Sequence, residues 1–306
     1  MNAPLVRYRN LVMDNARWDG FEFRDGDIVI STPAKCGTTW TQMICALLVF
    51  KSPEFPAPLT RLSPWVDMLL EPIDDIRVLL EGQQHRRFIK SHTPLDGLPF
   101  DDRVTYITVA RDPRDVAISW DHHRENMDMN LFMEQRRAAI GVDEFTELLP
   151  DGIPVPAGSE TDRFWAWVDS DAGMGGLPDL VHHLDTFWQA REKPNIVLLH
   201  FGDLKADLEG QMRALADRLE IEVPEDSWRS LVEAATFASM KARAEERAPG
   251  PVDSIWLDDK KFFYSGTNGQ WQTLLDADGM QRYAERVHSL ADPELSAWIH
   301  RSALSA

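Results

Sequence analysis

One continuous segment, residues 27–50, constrains the fold of this chain more than any other. Asp27–Thr32 is a short apolar stretch that predicts a strand, Pro33–Gly37 predicts a tight turn, and Thr38–Phe50 predicts a helix. The helix repeats apolar side chains at the i, i+3, i+4, i+7 and i+8 positions of one face, which is typical of a helix packed on a core. Those side chains are Trp40, Met43, Ile44, Leu47 and Leu48.

The rest of the chain repeats this alternation of strands and helices. Further strands are predicted at Arg87–Ser91, Val104–Ala110 and Ile196–Phe201, and helices at Arg114–Arg124, Asp179–Glu192, Leu204–Leu219, Asp226–Ala235 and Ala277–Leu290. Such alternation is typical of a central, mostly parallel sheet with helices on both faces. We therefore predict one α/β domain over residues 1–306, in which residues 126–179 form an irregular insertion or lid.

Composition and charge exclude several classes of protein. The chain has 306 residues and a formal net charge of −18, which argues against a nucleic-acid partner because such partners need a basic face. No apolar run approaches the roughly 18 residues of a membrane span, and the N-terminus lacks the pattern of a signal peptide. The two cysteines, Cys36 and Cys45, lie in one predicted strand-turn-helix unit, where a disulfide is not expected. These features predict a cytoplasmic protein without a membrane span.

The turn between the first strand and the first helix predicts a phosphate site. A strand that turns tightly into a helix leaves backbone N–H groups unpaired at the positive end of the helix dipole. Gly37 allows close approach, Lys35 adds a charge, and Thr38 and Thr39 add hydroxyl donors. The alternative is an ordinary turn with a threonine cap and an exposed lysine. The pattern GxxxxGK[ST] is absent, which disfavours a mononucleotide kinase but leaves a P-loop-like nucleotide-binding core as the prediction.

Three sequence blocks, in order, carry a family resemblance. Residues 32–40 (TPAKCGTTW) resemble the 5'-phosphosulfate loop of cytosolic-type sulfotransferases, usually written TYPKSGTTW. Residues 87–98 (RFIKSHTPLDGL) and 109–120 (VARDPRDVAISW) are similar to further blocks of that family, most closely in bacterial members and particularly in mycobacterial glycolipid sulfotransferases. The resemblance spans residues 24–271 and therefore covers most of the chain.

The resemblance implies a reaction and its substrates. The donor would be 3'-phosphoadenylyl sulfate (PAPS), and the product adenosine 3',5'-bisphosphate (PAP). The acceptor would be a hydrophobic molecule that carries a hydroxyl group, such as a phenol, an alcohol or a glycolipid. The expected mechanism is in-line displacement without an obligatory metal, in parallel with phosphoryl transfer. A homodimer is also compatible with the family.

Lys90 and His92 are the predicted catalytic pair, together with Lys35. They occupy positions i and i+2 at a strand end, so both side chains point to the same face. Sulfuryl transfer needs a base for the acceptor hydroxyl and cations for the charge that develops on the leaving phosphate. In the family the matching histidine is the base, which assigns that role to His92. The alternative for this residue is a structural histidine before a proline turn.

Arg111 and Ser119 match the residues that hold the 3'-phosphate in relatives. Arg111 leaves a predicted strand end, and Asp112 caps the following helix. Arg114 and Asp115 are expected to form surface pairs, and a structural salt bridge is the alternative for Arg111.

The adenine side is predicted from a second group of matches. Thr236, Phe237 and Met240 resemble the family's TSFxxM segment, and Trp40 and Phe237 are candidates to stack on the base. Phe201 occupies the place of a tyrosine in relatives, so a polar contact is lost there. The alternative is that both are core aromatics on helix faces, an alternative that bears mainly on Phe237.

The sequence departs from the family pattern at two places. Tyr264, Ser265 and Gly266 fill the place of an RKG segment, so two cations that hold the 3'-phosphate are replaced by neutral donors. Because charge-assisted hydrogen bonds are stronger than neutral ones, we predict weaker donor binding than in typical relatives. Cys36, in the donor-binding loop, replaces a serine. It is either a small residue that fits or a thiol with a lowered pKa.

Residues 126–179 also contain apolar side chains that are candidates for an acceptor pocket, with an ordinary core as an equal alternative. They are Met127, Met129, Phe132, Met133, Phe164, Trp165 and Trp167. Two other functions remain open at this point. A phosphotransferase would need magnesium and turn over ATP, and a degenerate module would bind PAP without transferring a sulfuryl group.

Overall fold

The structure is a computed structural model that describes residues 5–149, 157–173, 175–242, 255–258, 261, 268–301 and 304. Its centre is a sheet of four strands in the order β2-β1-β3-β4, with every neighbouring pair parallel. The strands are β1 (Ile28–Ser31), β2 (Phe88–Ser91), β3 (Thr105–Ala110) and β4 (Ile196–His200). The predicted α/β fold with a central parallel sheet is confirmed.

Helices cover both faces of this sheet. In chain order the described residues form α1 (Thr38–Phe50), α2 (Leu59–Leu62), α3 (Ile73–Gly82), α4 (Pro113–Glu125), α5 (Met129–Ile140), α6 (Glu144–Leu148), α7 (Glu160–Val168), α8 (Leu177–Gln189), α9 (Phe201–Ala206), α10 (Leu208–Arg218), α11 (Trp228–Ala235), α12 (Phe237–Ala242), α13 (Ala277–His288) and α14 (Pro293–His300). Short 3-10 helices lie at Asn15–Trp18, Leu95–Gly97, Glu225–Ser227 and Gln270–Thr273. In the described ranges, no helix has the combination of length and apolar character that crossing a bilayer requires.

The strands are buried from both sides, which explains why they are continuous apolar runs. Ile28 and Ile30 of β1 pack with α1, α10 and α11 in one core cluster. Val29, between them, faces a second cluster that includes Phe187 of α8. Alternate side chains of a strand point to opposite faces, so one short strand needs apolar residues at successive positions.

Two predictions about helices are wrong. The described residues of the range 126–179 are largely helical rather than irregular, because they form α5, α6 and α7. The predicted helix Leu204–Leu219 is two helices: α9 begins already at Phe201, and α10 follows after Asp207. The side chain of Asp207 accepts a hydrogen bond from the backbone N–H of Gly210 and caps α10, which ends α9 at that point.

The parallel register determines where the ends of the strands lie. Ile30 pairs with Lys90 and Ser31 with Ser91, while Ile30 also pairs with Ile107 of β3. The carboxyl ends of β1, β2 and β3 therefore meet at one edge of the sheet, which is where open α/β sheets bind ligands.

Candidate active site

A pocket of about 240 Å³ opens at this edge of the sheet, and most of the predicted site residues line it. The predicted residues that line it are Lys35, Gly37, Thr38, Thr39, Trp40, Lys90, His92, Arg111, Ser119, Phe201, Phe237 and Met240. They come from three strand ends and four helices, so the fold brings together side chains that are far apart in the sequence.

The turn before α1 has the backbone geometry that the sequence predicted. Gly37 has φ +106°, and a Cβ built there would lie 3.2 Å from Cδ2 of Phe201. Only glycine adopts this conformation without strain, and only glycine leaves room for the neighbouring ring. Lys35 also has a positive φ of 67°. The hydroxyl groups of Thr32 and Thr38 lie 2.6 Å apart and connect the strand end to the first residue of α1.

Cys36 turns its side chain away from the pocket. It is fully buried and packs in a core cluster with Ala110 and Val116. Burial raises the pKa of its thiol to about 12, so the alternative of an acidic, reactive thiol is wrong. Cys36 and Cys45 are both free, in agreement with the prediction of no disulfide between them.

His92 is held in one tautomer by the backbone. Its Nδ1 lies 2.6 Å from the carbonyl oxygen of Thr32. Because a carbonyl oxygen only accepts, Nδ1 carries the hydrogen and Nε2 is left as the basic nitrogen. Burial, followed by the charge of Lys90, lowers the pKa of His92 well below its usual value. The imidazole is therefore neutral at physiological pH and ready to accept a proton.

Three cations converge on the pocket. Burial, followed by the charges of Arg111 and Lys90, lowers the pKa of Lys35 to about 7. Burial also lowers the pKa of Lys90 to about 7, against the opposing effect of Asp67. Arg111 is only 6% exposed, donates a hydrogen bond to the backbone oxygen of Lys35 over 3.1 Å, and lies 4.5 Å from the ring centroid of Phe201. These positive groups repel one another in the pocket, and a polyanionic ligand would neutralise that repulsion.

Arg114 and Asp115 do not form surface pairs, which corrects the prediction. Arg114 is 4% exposed, pairs through two nitrogens with the carboxylate of Asp112, and lies over the ring of Trp271. Asp115 is 1% exposed and accepts hydrogen bonds from the backbone N–H groups of Gly269 and Gln270. Both side chains thus anchor the chain segment that begins at residue 268. Asp112 caps α4 as predicted.

The aromatic residues predicted for the adenine side, Trp40, Phe201 and Phe237, line the pocket. The indole nitrogen of Trp40 donates to the backbone oxygen of Ala235 over 2.8 Å, and the Trp40 ring meets that of Phe201 edge to face at 5.2 Å. Phe237 lines the pocket and also packs against the core. It is therefore partly a pocket residue and partly a core aromatic. The hydroxyl of Thr236 donates to the backbone oxygen of Glu233. Thr236 is not among the residues that line the pocket.

The candidates for an acceptor pocket divide into three groups. Met127 and Phe132 line the pocket. Met129 and Met133 pack in the neighbouring cluster around Leu70. The other three, Phe164, Trp165 and Trp167, pack with α8 and α13 in a separate core cluster, so the ordinary-core alternative holds for them.

Several residues of the pocket were missed by sequence reasoning. His123 lies with its Nδ1 3.2 Å from Nζ of Lys35, and its ring contacts those of Trp120 and Trp256 at 5.4 and 4.7 Å. A signal existed, since His123 follows Ser119 at i+4 on α4 and shares its face. Trp65, which also lines the pocket, had no such signal because it lies in a loop.

The predicted residues Tyr264, Ser265 and Gly266 lie outside the described residues. The expectation of weaker donor binding at these positions stays a prediction.

Comparison with known proteins agrees with this geometry. A family model described as a sulfotransferase domain matches residues 25–297. A glycolipid sulfotransferase of Mycobacterium bovis is 42% identical over 307 residues, covering 96% of this chain and 94% of that protein. A glycolipid sulfotransferase of Mycobacterium tuberculosis is also 42% identical, with the same coverage.

Solved structures support the same fold. A retinol dehydratase in complex with androsterone and the inactive cofactor PAP matches with a TM-score of 0.66 and 20% identity, covering 90% of this chain and 83% of that one. A mouse sulfotransferase complexed with PAP matches with a TM-score of 0.65 and 18% identity, covering 90% and 88%.

The chain is an α/β protein with its pocket at the carboxyl ends of the parallel strands. The family match covers most of the chain, and this chain belongs to the sulfotransferase family. Its enzymatic activity is sulfuryl transfer.

Proposed function

We propose that this enzyme transfers the sulfuryl group of PAPS to the hydroxyl group of a hydrophobic acceptor, with His92 as the general base. The observation that carries the proposal is the juxtaposition of a neutral imidazole, whose Nε2 is free of the backbone contact, with the ammonium groups of Lys35 and Lys90 in one pocket. The acceptor and the phosphate of the donor would meet between them.

Each residue has a distinct task in this reaction. The acceptor oxygen attacks sulfur while His92 takes the hydroxyl proton on Nε2, and the bond between sulfur and the bridging phosphate oxygen breaks. The electron pair leaves with the phosphate of PAP, where Lys35 and Lys90 stabilise the developing charge. The backbone N–H groups at the start of α1, with the hydroxyl groups of Thr38 and Thr39, would bind the 5'-phosphate.

The remaining predicted residues would hold the nucleotide. Arg111 and Ser119 line the pocket close to β3 and α4 and would bind the 3'-phosphate. Trp40, Phe201 and Phe237 would enclose adenine. We also propose that Tyr264, Ser265 and Gly266 complete the site, and that the reaction requires no metal.

The acceptor is proposed from two supports. One section of the pocket is apolar, because its lining includes Val12, Met68, Leu70, Phe132 and Trp256, which pack in one cluster. The mycobacterial relatives are named glycolipid sulfotransferases. A glycolipid or another hydrophobic alcohol fits both supports.

Calorimetry and a transfer assay together test the proposal. PAP should bind at least tenfold more tightly than 5'-AMP or ATP, because only PAP carries the 3'-phosphate. Transfer from PAPS should then be screened over phenols, sterols and glycolipids. His92→Ala should lower kcat by roughly 10²–10⁴, the range of general-base contributions.

His300→Asn is the matched control, since His300 is a buried histidine that contacts Tyr283 and Ser296 away from the pocket. Binding of PAP without transfer to any acceptor would favour a degenerate module, and magnesium-dependent ATP turnover would favour a phosphotransferase. Either result would refute the proposal.

A further inference from the structure

Asp67 is a fully buried carboxylate beside the active site, in the loop between α2 and α3. Four side chains donate hydrogen bonds to it. Oδ2 accepts from the indole nitrogen of Trp18 over 3.1 Å and from the hydroxyl groups of Ser91 and Thr93 over 2.5 and 2.6 Å. Oδ1 accepts from the indole nitrogen of Trp65. A charge buried so completely is expensive unless it is well hydrogen-bonded, and this one is.

Two of these donors are the immediate neighbours of His92. Ser91 precedes it and Thr93 follows it, and the backbone N–H of Thr93 also donates to Oγ of Ser91 over 2.9 Å. The hydroxyl of Ser31, at the end of β1, donates to the backbone oxygen of Thr93 over 2.5 Å. The backbone on both sides of the proposed base is therefore fixed to one carboxylate and to the neighbouring strand.

Trp65 contacts both members of the proposed catalytic pair. Nζ of Lys90 lies 4.0 Å from the centroid of its ring, and the ring of His92 meets it edge to face at 4.6 Å and 79°. The backbone N–H of Lys90 donates to the oxygen of Pro64 over 3.0 Å, which holds the two segments together. An indole whose N–H donates to a carboxylate is more electron-rich, and this strengthens its attraction for an ammonium group on its face.

We propose that Asp67 and Trp65 form a positioning unit that orients His92 and Lys90 for sulfuryl transfer. Asp67 acts through its neighbours, while Trp65 touches the catalytic side chains and forms a wall of the pocket. This inference rests on the proposed function, because it assumes that His92 is the base and Lys90 a charge-stabilising cation.

The charged groups around Asp67 determine how its replacement would change the pKa of Lys90. Asp67 opposes the lowering of the Lys90 pKa by burial. On its other side Asp67 faces Arg17, which donates to the backbone oxygens of Met68 and Glu71. Lys90 also faces the titratable groups of Lys35, His92 and His123. Removing the charge of Asp67 should therefore lower the pKa of Lys90 further.

The Asp67→Asn variant tests the unit. Because asparagine offers one acceptor oxygen in place of two, the turn around His92 should lose its fixed geometry and kcat should fall by about 10–10², the cost of a misplaced catalytic group. The alkaline limb of the pH profile for kcat/KM should move to lower pH. Proton uptake on PAP binding at pH 7.5, measured by calorimetry in two buffers, should rise, since Lys90 would be less protonated before binding.

Asp27→Asn is the matched control. Asp27 is also a buried aspartate, 1% exposed, but it pairs with Arg87 at the amino end of β1, away from the pocket. This variant should lose thermal stability without changing the pH profile or the proton uptake. If both aspartate variants lose only stability, Asp67 is structural and the proposal is overturned.

A second pair of variants tests the unit even if the Asp67→Asn variant fails to fold. Trp65→Phe keeps the ring face and should retain most of kcat, whereas Trp65→Leu removes it and should lower kcat about tenfold at saturating acceptor. Equal kcat values for the two would contradict the role of the ring. A wild-type enzyme that binds PAP but transfers nothing would refute the proposed function instead, and proton uptake would still report on Asp67.

Discussion

Nζ of Lys35 lies 3.2 Å from Nδ1 of His123, so an imidazole contacts the lysine of the predicted phosphate-binding turn. Burial lowers the pKa of His123 well below its usual value, and the charge of Lys35 acts in the same direction. The ring is therefore neutral and accepts a hydrogen bond from the ammonium group. The contact links α4 to the turn before α1 and gives Lys35 a defined direction in the pocket.

We expect His123→Phe to weaken PAP binding at pH 7.5 by about ten- to hundredfold, the loss of one hydrogen bond to a charged group. Phenylalanine keeps the aromatic contacts with Trp120 and Trp256 but has no acceptor for Lys35. Calorimetry with PAP measures the effect. His122→Phe, at the neighbouring, partly exposed position, is the control and should bind like the wild type. Equal affinity in all three proteins would show that the contact does not orient Lys35.

Donor binding should weaken as pH rises above about 7. The pKa values of Lys35 and Lys90 are both lowered to about 7, so each lysine loses its proton in this range before an anion binds. PAP should therefore bind with proton uptake, and its affinity should fall with increasing pH. His92 sets no acid limit near neutrality because its pKa lies well below 6.5. An affinity that stays constant between pH 6.5 and 9 would contradict these lowered values.

Lys35→Met should stabilise the fold while it removes activity. At pH 7 this lysine is fully protonated in the unfolded chain, whereas its pKa in the folded chain is lowered to about 7. The charged lysine therefore destabilises the folded state. Methionine removes that cost, and we expect a gain of about 1 kcal/mol in the free energy of unfolding. The gain should be full below about pH 7 and should decline as pH rises towards 10.5. We expect kcat to fall by about 10²–10³, as for the loss of one charge-stabilising donor.

Lys205→Met is the control for this variant, since Lys205 is exposed on α9. It should change neither stability nor kcat. Thermal unfolding at several pH values measures the first quantity, and a loss of stability in Lys35→Met would contradict the prediction.

Gly37→Ala should cost about 1–3 kcal/mol of stability, the range for a side chain forced into a rare backbone conformation. Its φ of +106° disfavours any Cβ, and the Cβ would press on Phe201 at 3.2 Å. PAP affinity should fall as well, because the turn before α1 would have to shift. Gly82→Ala at the end of α3, where nothing lies within 4 Å, should be neutral or slightly stabilising. Equal unfolding free energies for the two variants would contradict the strain.

The local sequence predicted the elements and the turn well. The strand Asp27–Thr32 is observed as Ile28–Ser31, and the helix Thr38–Phe50 has the predicted bounds. The pattern succeeded there because apolar periodicity and a glycine with a required conformation are local properties. It failed for residues 126–179, where α5, α6 and α7 were missed, because Gly and Pro residues between short helices resemble an irregular loop.

The sequence by itself determined which residue types follow each strand, and hence that cations and an imidazole would gather at one edge of the sheet. The tertiary structure alone decided that Asp67 and Trp65 pack against the strand that carries Lys90 and His92. It also buried Arg114 and Asp115, which the sequence predicted at the surface. The physical reason is that strand ends are brought together by a regular register, whereas loops and helix faces are placed by packing, which no short stretch of sequence encodes.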